Sequence, residues 1–396
     1  MNAEKGRKIA VIGSGRMGPG IAQLAAIKGY EVTLWGRREN SLKKAEEKII
    51  WSTKKLVKKK ILQEDAVKQV LNRINYEINL RRAVCDADLI IEAIIEDTEI
   101  KTKMVSQMAG EVSSHTIISS TTSTIPISEL ADAIHRPEKF IGIHFFNPPQ
   151  LIELVEIIPG KKTSQETLQE AINFTTSLGK QILLCKRDVP AFIINRVLLP
   201  ILDEAAWTVF RGESTITSID STFKERLKAP MGPFELMDFI GIDVVYHAMR
   251  EVIKRERTLI ALCPLIKKFY ENGFMGKDRG GGFYQHSDLI EKSTKNINNP
   301  ADIASLLAPA ANSIARILKM GLLSIEEIDQ AVKMALKFSS GIIHELRSIG
   351  FHRIRECLLK KYKAYSYESY LPEENLIEIF YQGEGHGKEL DHKEER

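Results

Sequence analysis

The feature that most constrains the fold is a glycine-rich turn between two apolar segments near the start of the chain. Residues 8–12 form a short apolar run typical of a buried strand, residues 13–18 read Gly13-Ser14-Gly15-Arg16-Met17-Gly18, and residues 21–28 have a helical pattern. A second strand, residues 31–35, follows this helix. In this setting the turn predicts a dinucleotide site, because the glycines let a pyrophosphate approach the backbone and the helix N-terminus attracts its charge. The alternative is a structural turn of another α/β unit.

The end of the second predicted strand departs from the usual dinucleotide-binding pattern. A carboxylate is expected there to bind the ribose 2′-hydroxyl, but the sequence has Gly36, followed by Arg37 and Arg38. Loss of the carboxylate removes repulsion against a 2′-phosphate, and arginine binds phosphate in a bidentate manner. We therefore expect NAD or NADP as the cofactor, with NADP mildly favoured. The alternative is that both arginines are simply solvated.

Composition argues against several classes of protein. A chain of 396 residues predicts two or three domains. A formal charge of +4, with no basic stripe interleaved with aromatic residues, argues against a nucleic-acid partner. The four cysteines lie far apart and lack the paired spacing of a zinc site, so they predict reduced thiols and no metal site. With no apolar run of membrane-spanning length and no signal peptide, we expect a cytoplasmic protein without a membrane partner.

A candidate general base lies near the middle of the chain. Residues 141–145 alternate as a half-buried strand does, and the run His144-Phe145-Phe146-Asn147-Pro148-Pro149 ends it, because prolines cannot continue a ladder. A second β-rich run covers residues 151–158. If it folds back antiparallel with residues 146 and 154 opposed, His144 faces Glu156. A carboxylate that orients an imidazole and stabilises its charged form makes that imidazole a general base; a core histidine near a solvated glutamate is the alternative.

A lysine-rich helical segment, residues 41–82, follows the second strand. Within it Ser52, Lys55 and Lys59 share one helical face, which is consistent with an anion-binding arm. A solvated lysine face is the usual alternative.

Two further predicted strands lead into polar loops. Residues 88–93 lead to Glu96 and Lys101, and residues 116–120 lead to the hydroxyl-rich segment 121–124. Loops at the carboxyl ends of parallel strands are where open sheets bind ligands, so these segments are candidates for the same site.

Taken in order, these motifs resemble the 3-hydroxyacyl-CoA dehydrogenase family, of the 3-hydroxybutyryl-CoA dehydrogenase type, over about residues 7 to 285. Besides the glycine turn with Met17, the resemblance rests on these segments: Ala87-Asp88-Leu89-Ile90-Ile91-Glu92-Ala93, His144-Phe145-Phe146-Asn147-Pro148, Leu154-Val155-Glu156, Asn195-Arg196, Pro230-Met231-Gly232-Pro233-Phe234-Glu235-Leu236 and Gly282-Phe283-Tyr284. It implies reversible, nicotinamide-dependent oxidation of an (S)-3-hydroxyacyl-CoA to the 3-oxoacyl-CoA, a reaction of fatty acid β-oxidation. The substrate partner would be an acyl-CoA.

The resemblance also implies roles for individual residues. His144 would take the 3-hydroxyl proton, Glu156 would hold His144, and Ser123 and Asn195 would hydrogen-bond the substrate near its reacting oxygen. Contacts to CoA would come from Ser52 and Lys59. Contacts to the cofactor would come from the glycine turn, the end of the second strand and later loops: Gly13, Ser14, Gly15, Arg16, Met17, Gly18, Gly36, Arg37, Arg38, Glu96, Lys101, Ser123 and Asn147.

Some positions differ from the family pattern. The family's Ser-Asn-Thr-Ser loop is Ser120-Thr121-Thr122-Ser123, its Pro-Gly-Phe is Pro190-Ala191-Phe192, and a lysine expected before the last glycine motif is Asp278. These differences and Gly36 bear on cofactor preference and fine specificity. Two alternatives stay open: a dehydrogenase of a free hydroxy or sugar acid, as L-gulonate dehydrogenase resembles this family, and a non-catalytic relative such as lens lambda-crystallin. Retention of the four catalytic candidates argues against the second.

The C-terminal part of the chain contains a degenerate internal repeat. A shift of 109 residues places Gly212 on Gly321, Asp220 on Asp329 and Gly232 on Gly341, whereas Asn195 falls on Ala304 and Asp238 on Arg347. The second copy keeps the spacing and loses polar residues, which indicates a structural role. Family members with one helical segment dimerise through it, so a second copy in the same chain favours a monomer, with a homodimer as the alternative.

The sequence as a whole predicts an α/β Rossmann-type N-terminal domain followed by an all-α C-terminal domain that is duplicated in tandem. The expected boundaries are residues 7–187 for the NAD(P)-binding domain, 188–286 for the helical domain and 300–380 for its degenerate repeat. Residues 1–6 and 383–396 are expected to be flexible tails.

Overall fold

The structure is a computed structural model that describes residues 7–277, 279–287, 290 and 300–381. The predicted tails, residues 1–6 and 383–396, lie outside the described residues, as does Asp278. None of the described helices is long and apolar enough to cross a membrane.

The N-terminal half is built on a twisted sheet of eight strands, in the order β3-β2-β1-β4-β5-β6-β7-β8 among the described residues. Strands β1 to β6 are parallel, β7 runs antiparallel to β6, and β8 is parallel to β7. The central strands β4 and β6 are buried on both faces and are mostly apolar. The alternation at residues 141–145 predicted a half-buried strand, but every residue of β6 is buried, because Gly142 and His144 also face packed neighbours. The strands are β1 Lys8–Ile12, β2 Glu31–Trp35, β3 Ile74–Glu77, β4 Leu89–Glu92, β5 Ile117–Ser120, β6 Phe140–Phe145, β7 Leu154–Pro159 and β8 Gln181–Leu184.

The helices of this half connect the strands. The first of them, α1, is buried over most of its length because it lies between the sheet and α2. The helices are α1 Gly18–Ile27, α2 Glu39–Lys58, α3 Ala66–Asn72, α4 Leu80–Val84, α5 Thr98–Ala109, α6 Ile127–Ala131 and α7 Gln165–Ser177. The N-terminal part of the predicted fold class, a Rossmann-type α/β domain, is confirmed.

The sequence patterns missed two strands. Strand β3 lies within the segment expected to be helical throughout, residues 41–82, and pairs with the outer side of β2. Strand β8 follows α7 and pairs with β7. Both are four-residue strands at the edges of the sheet. β3 mixes polar with apolar residues, and β8 has an apolar run of only three residues, most of them not buried.

The C-terminal half is helical, as predicted. Its first helix, α8, is buried along almost its whole length and contains Pro200 in its interior. The helices up to residue 271 are α8 Ile194–Phe210, α9 Ile216–Arg226, α10 Pro233–Ile240, α11 Ile242–Arg255 and α12 Pro264–Glu271.

A second set of helices follows, and its spacing matches the first set. The helices are α13 Ile303–Lys319, α14 Ile325–Leu336, α15 Ile342–Ile349, α16 Phe351–Tyr365 and the short α17 Glu378–Tyr381. Each of α13 to α16 begins 109 residues after α8, α9, α10 and α11, respectively. The proline inside α8 has a counterpart inside α13, Pro309. Helix α13 lies along α8, so the first helices of the two sets form the centre of the helical half.

Candidate active site

The glycine turn is closely packed on one side and open on the other. Gly13 has a φ of +128°, and a Cβ atom there would lie 2.4 Å from the carbonyl oxygen of Ala93. At Gly18 a Cβ would lie 1.7 Å from the carbonyl oxygen of Gly13, so neither position accepts a side chain. A Cβ atom at Gly15, by contrast, would have no described atom within 4 Å. The turn therefore leaves a backbone surface at the N-terminus of α1 that fits the pyrophosphate of a dinucleotide.

Glycine at the end of β2 leaves no carboxylate at the position where one usually binds the ribose 2′-hydroxyl. Gly36 is buried, and a Cβ there would lie 2.6 Å from Oγ of Ser14 and 2.8 Å from Leu42. The hydroxyl of Ser14 donates to that of Ser41 at 3.0 Å, which places two hydroxyls where the carboxylate would stand. The side chains of Arg37 and Arg38 are exposed and make no hydrogen bond or ion pair with a described residue.

The structure pairs His144 with Glu156. The register of β6 and β7 opposes these two residues and Phe145 with Val155, as the sequence predicted, so this prediction is confirmed. Nδ1 of His144 lies 2.6 Å from Oε2 of Glu156, and both side chains are buried. The carboxylate thereby fixes the imidazole orientation and leaves Nε2 as the nitrogen that can exchange a proton with a ligand.

The other oxygen of Glu156 is held by the start of the helical half. Oε1 accepts hydrogen bonds from the backbone amides of Ile193 and Ile194, each at 3.0 Å. These amides precede and begin α8, where helix N–H groups have no partner within the helix. The segment that leads to them has Ala191 at φ +62° and Phe192 at φ +47°, a conformation that favours glycine. Alanine in place of the family's glycine is therefore accommodated with strain.

The remaining catalytic candidates are brought together by the contact between the two halves. The side-chain amide of Asn195, in the first turn of α8, donates to the carbonyl oxygen of Ser123 at 3.0 Å. The hydroxyl of Ser123 donates to Glu96 at 3.1 Å. Asn147 follows β6 directly, is partly exposed and makes no side-chain hydrogen bond with a described residue.

Glu96 and Lys101 belong to a buried charge cluster that also contains Glu92. The ammonium of Lys101 lies 2.8 Å from Glu92 and 3.4 Å from Glu96. Burial alone would raise the pKa of Glu96, but Lys101 and hydrogen bonds from Thr122, Ser123 and Thr124 hold that pKa below its usual range. Burial likewise opposes the charge of Lys101, and the two carboxylates outweigh it and raise the pKa of this lysine. The cluster thus fixes the loop that carries Ser123.

The lysine arm lies beside the loop that follows the catalytic histidine. Ser52 is on α2, and its hydroxyl accepts a hydrogen bond from the side-chain amide of Gln150 at 3.4 Å. Gln150 also donates to Gln23 of α1 at 2.6 Å. Lys59, at the C-terminal end of α2, is exposed. The structure therefore brings Ser52 near the loop after β6, whereas Lys59 faces solvent.

Several residues of the site were not found from the sequence. Glu92 was taken only as part of a strand, although a carboxylate inside an apolar strand is itself a signal of a buried partner. In the hydroxyl-rich segment that the sequence did indicate, Thr122 and Thr124 donate to Glu96, a contact that was not predicted. Gln23 and Gln150 connect α1, the loop after β6 and α2. The two glutamines carry no pattern that distinguishes them from ordinary surface residues.

The fold and the site together define a dinucleotide-binding protein with a buried histidine–carboxylate pair at the carboxyl edge of its sheet. Residues 8–189 match the family profile described as "3-hydroxyacyl-CoA dehydrogenase, NAD binding domain", and residues 192–286 match "3-hydroxyacyl-CoA dehydrogenase, C-terminal domain". A protein of Bradyrhizobium diazoefficiens named 3-hydroxybutyryl-CoA dehydrogenase is 39% identical over 71% of this chain and 95% of its own length. The chain belongs to the 3-hydroxyacyl-CoA dehydrogenase family.

Solved structures extend the comparison. The (S)-3-hydroxybutyryl-CoA dehydrogenase of Ralstonia eutropha is 31% identical, with a TM-score of 0.62, over 69% of this chain and 97% of its own. The 3-hydroxybutyryl-CoA dehydrogenase of Escherichia coli is 24% identical, with a TM-score of 0.75, over 94% of this chain and 98% of its own. At that identity the likeness is one of fold, and its coverage includes residues beyond 286.

Proposed function

We propose that this protein catalyses the reversible, nicotinamide-dependent oxidation of an (S)-3-hydroxyacyl-CoA to the 3-oxoacyl-CoA. The observation that carries the proposal is the buried His144–Glu156 pair at the edge of the sheet that also carries the glycine turn. Gly20, in the first turn of α1, lies against Pro149 of the loop that follows His144, so the two parts of the site are adjacent. The family membership supplies the substrate class.

In this proposal His144 takes the 3-hydroxyl proton on Nε2 during oxidation and returns it during reduction. Glu156 keeps Nδ1 as the hydrogen-bond donor and stabilises the imidazolium that forms. Ser123 and Asn195, linked to each other across the two halves, would position the reacting oxygen. A bound nicotinamide supplies the chemistry of hydride acceptance from C3 of the substrate.

For the cofactor we propose a preference for NADP over NAD. Gly36 provides no carboxylate to select a free 2′-hydroxyl. The hydroxyls of Ser14 and Ser41 and the exposed Arg37 and Arg38 can bind a 2′-phosphate. For the CoA part of the substrate we propose Ser52 and Lys59 on the arm formed by α2.

We also propose that the second helical set, residues 300–380, is a duplicated copy of the helical domain and that the protein is a monomer. The common 109-residue spacing of four helices supports the duplication, as does the interior proline in both α8 and α13. Burial of α8 against α13 would occupy, within one chain, the face through which single-copy relatives dimerise. Light scattering at micromolar concentration should give the mass of one chain; a stable dimer docked through residues 190–285 would refute the monomer.

The function is tested by reduction of acetoacetyl-CoA with NADH and NADPH side by side. We expect turnover with both, a higher kcat/KM with NADPH, and a loss of at least about a hundredfold in kcat for His144→Ala. Oxidation of gulonate, measured separately with NAD and NADP, tests for a free-acid dehydrogenase. Activity on gulonate with none on acetoacetyl-CoA would overturn the proposed substrate, a large NADH preference would overturn the cofactor preference, and unchanged turnover in the variant would overturn the assigned base.

A further inference from the structure

Arg16 connects the glycine turn to the helical half of the molecule. Its Nη1 donates to the carbonyl oxygen of Phe239 at 3.0 Å, across the boundary between the halves. Phe239 lies in the last turn of α10, where carbonyl oxygens lack partners within the helix and the helix dipole favours a positive charge. The backbone carbonyl oxygen of Arg16 accepts a hydrogen bond from the ammonium of Lys48 on α2 at 3.4 Å. The segment expected to face a pyrophosphate is therefore tied directly to α10.

A second guanidinium group lies at the same place. Gly241 separates α10 from α11 at a φ of +107°, and a Cβ there would lie 2.6 Å from Nη2 of Arg16 and 2.7 Å from Nη2 of Arg279. Arg279 forms a bidentate ion pair with Asp243, with distances of 2.5 and 2.8 Å. The guanidinium groups of Arg16 and Arg279 thus both lie beside Gly241, at the end of α10 that faces the glycine turn.

The second helical set provides an internal comparison. Gly350 separates α15 from α16 at a φ of +90° and occupies the position 109 residues after Gly241. The backbone hydrogen bonds correspond: Gly350 donates to Leu346 and accepts from Ile354, as Gly241 donates to Met237 and accepts from Val245. No described atom lies within 4 Å of a Cβ built on Gly350. The α15–α16 junction therefore forms its bend without arginines beside it. The two arginines beside Gly241 are particular to the α10–α11 junction, which faces the glycine turn.

We propose that Arg16 couples dinucleotide binding to the docking of the helical half. In the bound state its guanidinium is shared between the cofactor pyrophosphate and the carboxyl end of α10. A guanidinium carries five N–H donors in a fixed plane, so that it can hold the carbonyl oxygen of Phe239 and a phosphate oxygen together. Dinucleotide binding then strengthens the contact between the halves, and that contact strengthens dinucleotide binding by the same factor.

This inference rests on the proposed use of a nicotinamide dinucleotide, and hydrogen–deuterium exchange measured by mass spectrometry tests it without turnover. We expect saturating NADPH or NADH to slow exchange at the α10–α11 junction, residues 241–245, by roughly fivefold or more. Exchange at residues 350–354 of the α15–α16 junction should not change. Equal protection of both junctions, or of neither, would overturn the coupling.

The decisive variant is Arg16→Met, which keeps much of the side-chain stem and removes the guanidinium. Its dissociation constant for the dinucleotide, measured by nucleotide fluorescence, should rise by roughly tenfold. At saturating dinucleotide the protection at residues 241–245 should be lost. Arg279→Met, the matched control, leaves the bond between Arg16 and Phe239 and should keep the protection. Full protection in saturated Arg16→Met would show that Arg16 contacts the phosphate without coupling the halves, and would refute the proposal.

The outcomes separate this inference from the proposed function. Dinucleotide binding with protection at the α10–α11 junction but no activity on acetoacetyl-CoA would leave the coupling standing and remove the proposed reaction. Activity on acetoacetyl-CoA without that protection would do the reverse. Absence of binding of either dinucleotide to the wild-type protein would overturn both.

Discussion

The most informative single residue of the candidate site is Glu156, because both of its oxygens are engaged. One oxygen faces His144 and the other accepts two backbone amides at the start of α8. Through these contacts Glu156 joins the sheet to the helical half at the point where chemistry is proposed.

Replacement of Glu156 by glutamine should therefore impair catalysis more than cofactor binding. The amide group presents N–H donors to partners that are themselves donors, so that the imidazole loses its orienting acceptor. We expect Glu156→Gln to lower kcat for acetoacetyl-CoA reduction by roughly a hundredfold or more, with the dissociation constant of the dinucleotide changed less than about threefold. Steady-state kinetics and fluorescence titration measure the two quantities. A variant with normal kcat would show that Glu156 does not act on the imidazole.

A second residue, Asp203 of α8, is buried for a structural reason. Its carboxylate oxygens accept hydrogen bonds from the backbone amides of Ala261 and Cys263, at 2.9 and 2.7 Å. Burial, with a smaller contribution from the charge of Glu204, raises the pKa of Asp203 to about 6. The position 109 residues later is Asn312, a buried neutral side chain that also bonds to backbone groups. The comparison indicates that a neutral asparagine at residue 203 could also hydrogen-bond to backbone groups while buried.

The raised pKa makes a pH-dependent contribution to stability. Because the folded protein holds the Asp203 proton to a higher pH than the unfolded chain, its carboxyl group destabilises the fold increasingly as pH rises from about 4 to about 6. In urea unfolding from pH 4 to 7, the stability of wild type relative to Asp203→Asn should fall over this range and become constant above it. A relative stability that rises with pH would contradict the raised pKa.

At the scale of elements, the helix that most affects the proposed substrate is α2. It begins directly after the β2 turn that would bind the adenosine ribose, and it ends next to Lys59, which is proposed to bind CoA. Its middle is held by the hydrogen bond between Gln23 and Thr53 at 2.7 Å and by the contact between Gln150 and Ser52. One helix therefore lies beside both proposed nucleotide sites.

Loss of the Lys59 charge should act on the CoA part of the substrate only. Lys59 is exposed, so Lys59→Met should leave the fold intact and raise KM for acetoacetyl-CoA by roughly three- to tenfold, with little change in kcat. The KM for acetoacetyl-pantetheine, which lacks the nucleotide, should stay the same. Lys43→Met, an exposed lysine in the first half of the same helix, is the matched control. Equal effects of the two substitutions would indicate a general electrostatic effect and not a CoA contact.

At the scale of the whole molecule, the two helical sets are joined by buried charges. The carboxylate of Glu204 on α8 accepts three hydrogen bonds. The donors are the ammonium of Lys361 on α16 at 2.6 Å, the hydroxyl of Tyr370 at 2.6 Å and the guanidinium of Arg211 at 2.5 Å. Glu204 and Lys361 are both buried. A buried pair of this kind adds little to stability over an apolar alternative, but loss of one partner leaves the other charge without compensation.

Glu204→Gln should consequently destabilise both helical sets together. The substitution leaves Lys361 and Arg211 facing a neutral amide, and we expect a loss of roughly 3–5 kcal/mol in the free energy of unfolding. Chemical denaturation followed by circular dichroism gives the magnitude. The double variant Glu204→Gln with Lys361→Met should recover part of the loss, because the uncompensated ammonium is removed. No recovery would mean that the cluster does not act as a charge pair.

Much of this protein followed from the sequence by itself. The glycine turn between strand and helix determined the dinucleotide-binding fold, since no side chain fits at Gly13 or Gly18. The alternation around His144 and the prolines after it indicated where the strand ends, and the antiparallel register supposed for the next strand is the one that the structure has. Such local patterns are readable because strand period and proline geometry do not depend on distant residues.

Only the tertiary structure decided which distant groups meet. The amides of α8 that hold Glu156, the cluster of Glu92 with Lys101, and the bond from Arg16 to α10 each join residues whose separation in sequence carries no pattern. The edge strands β3 and β8 were not predicted for a related reason: each has only four residues, so pairing with a neighbouring strand, more than a local pattern, defines it. Long-range contacts depend on how the halves dock, and docking is set by the whole buried surface, not by any local sequence period.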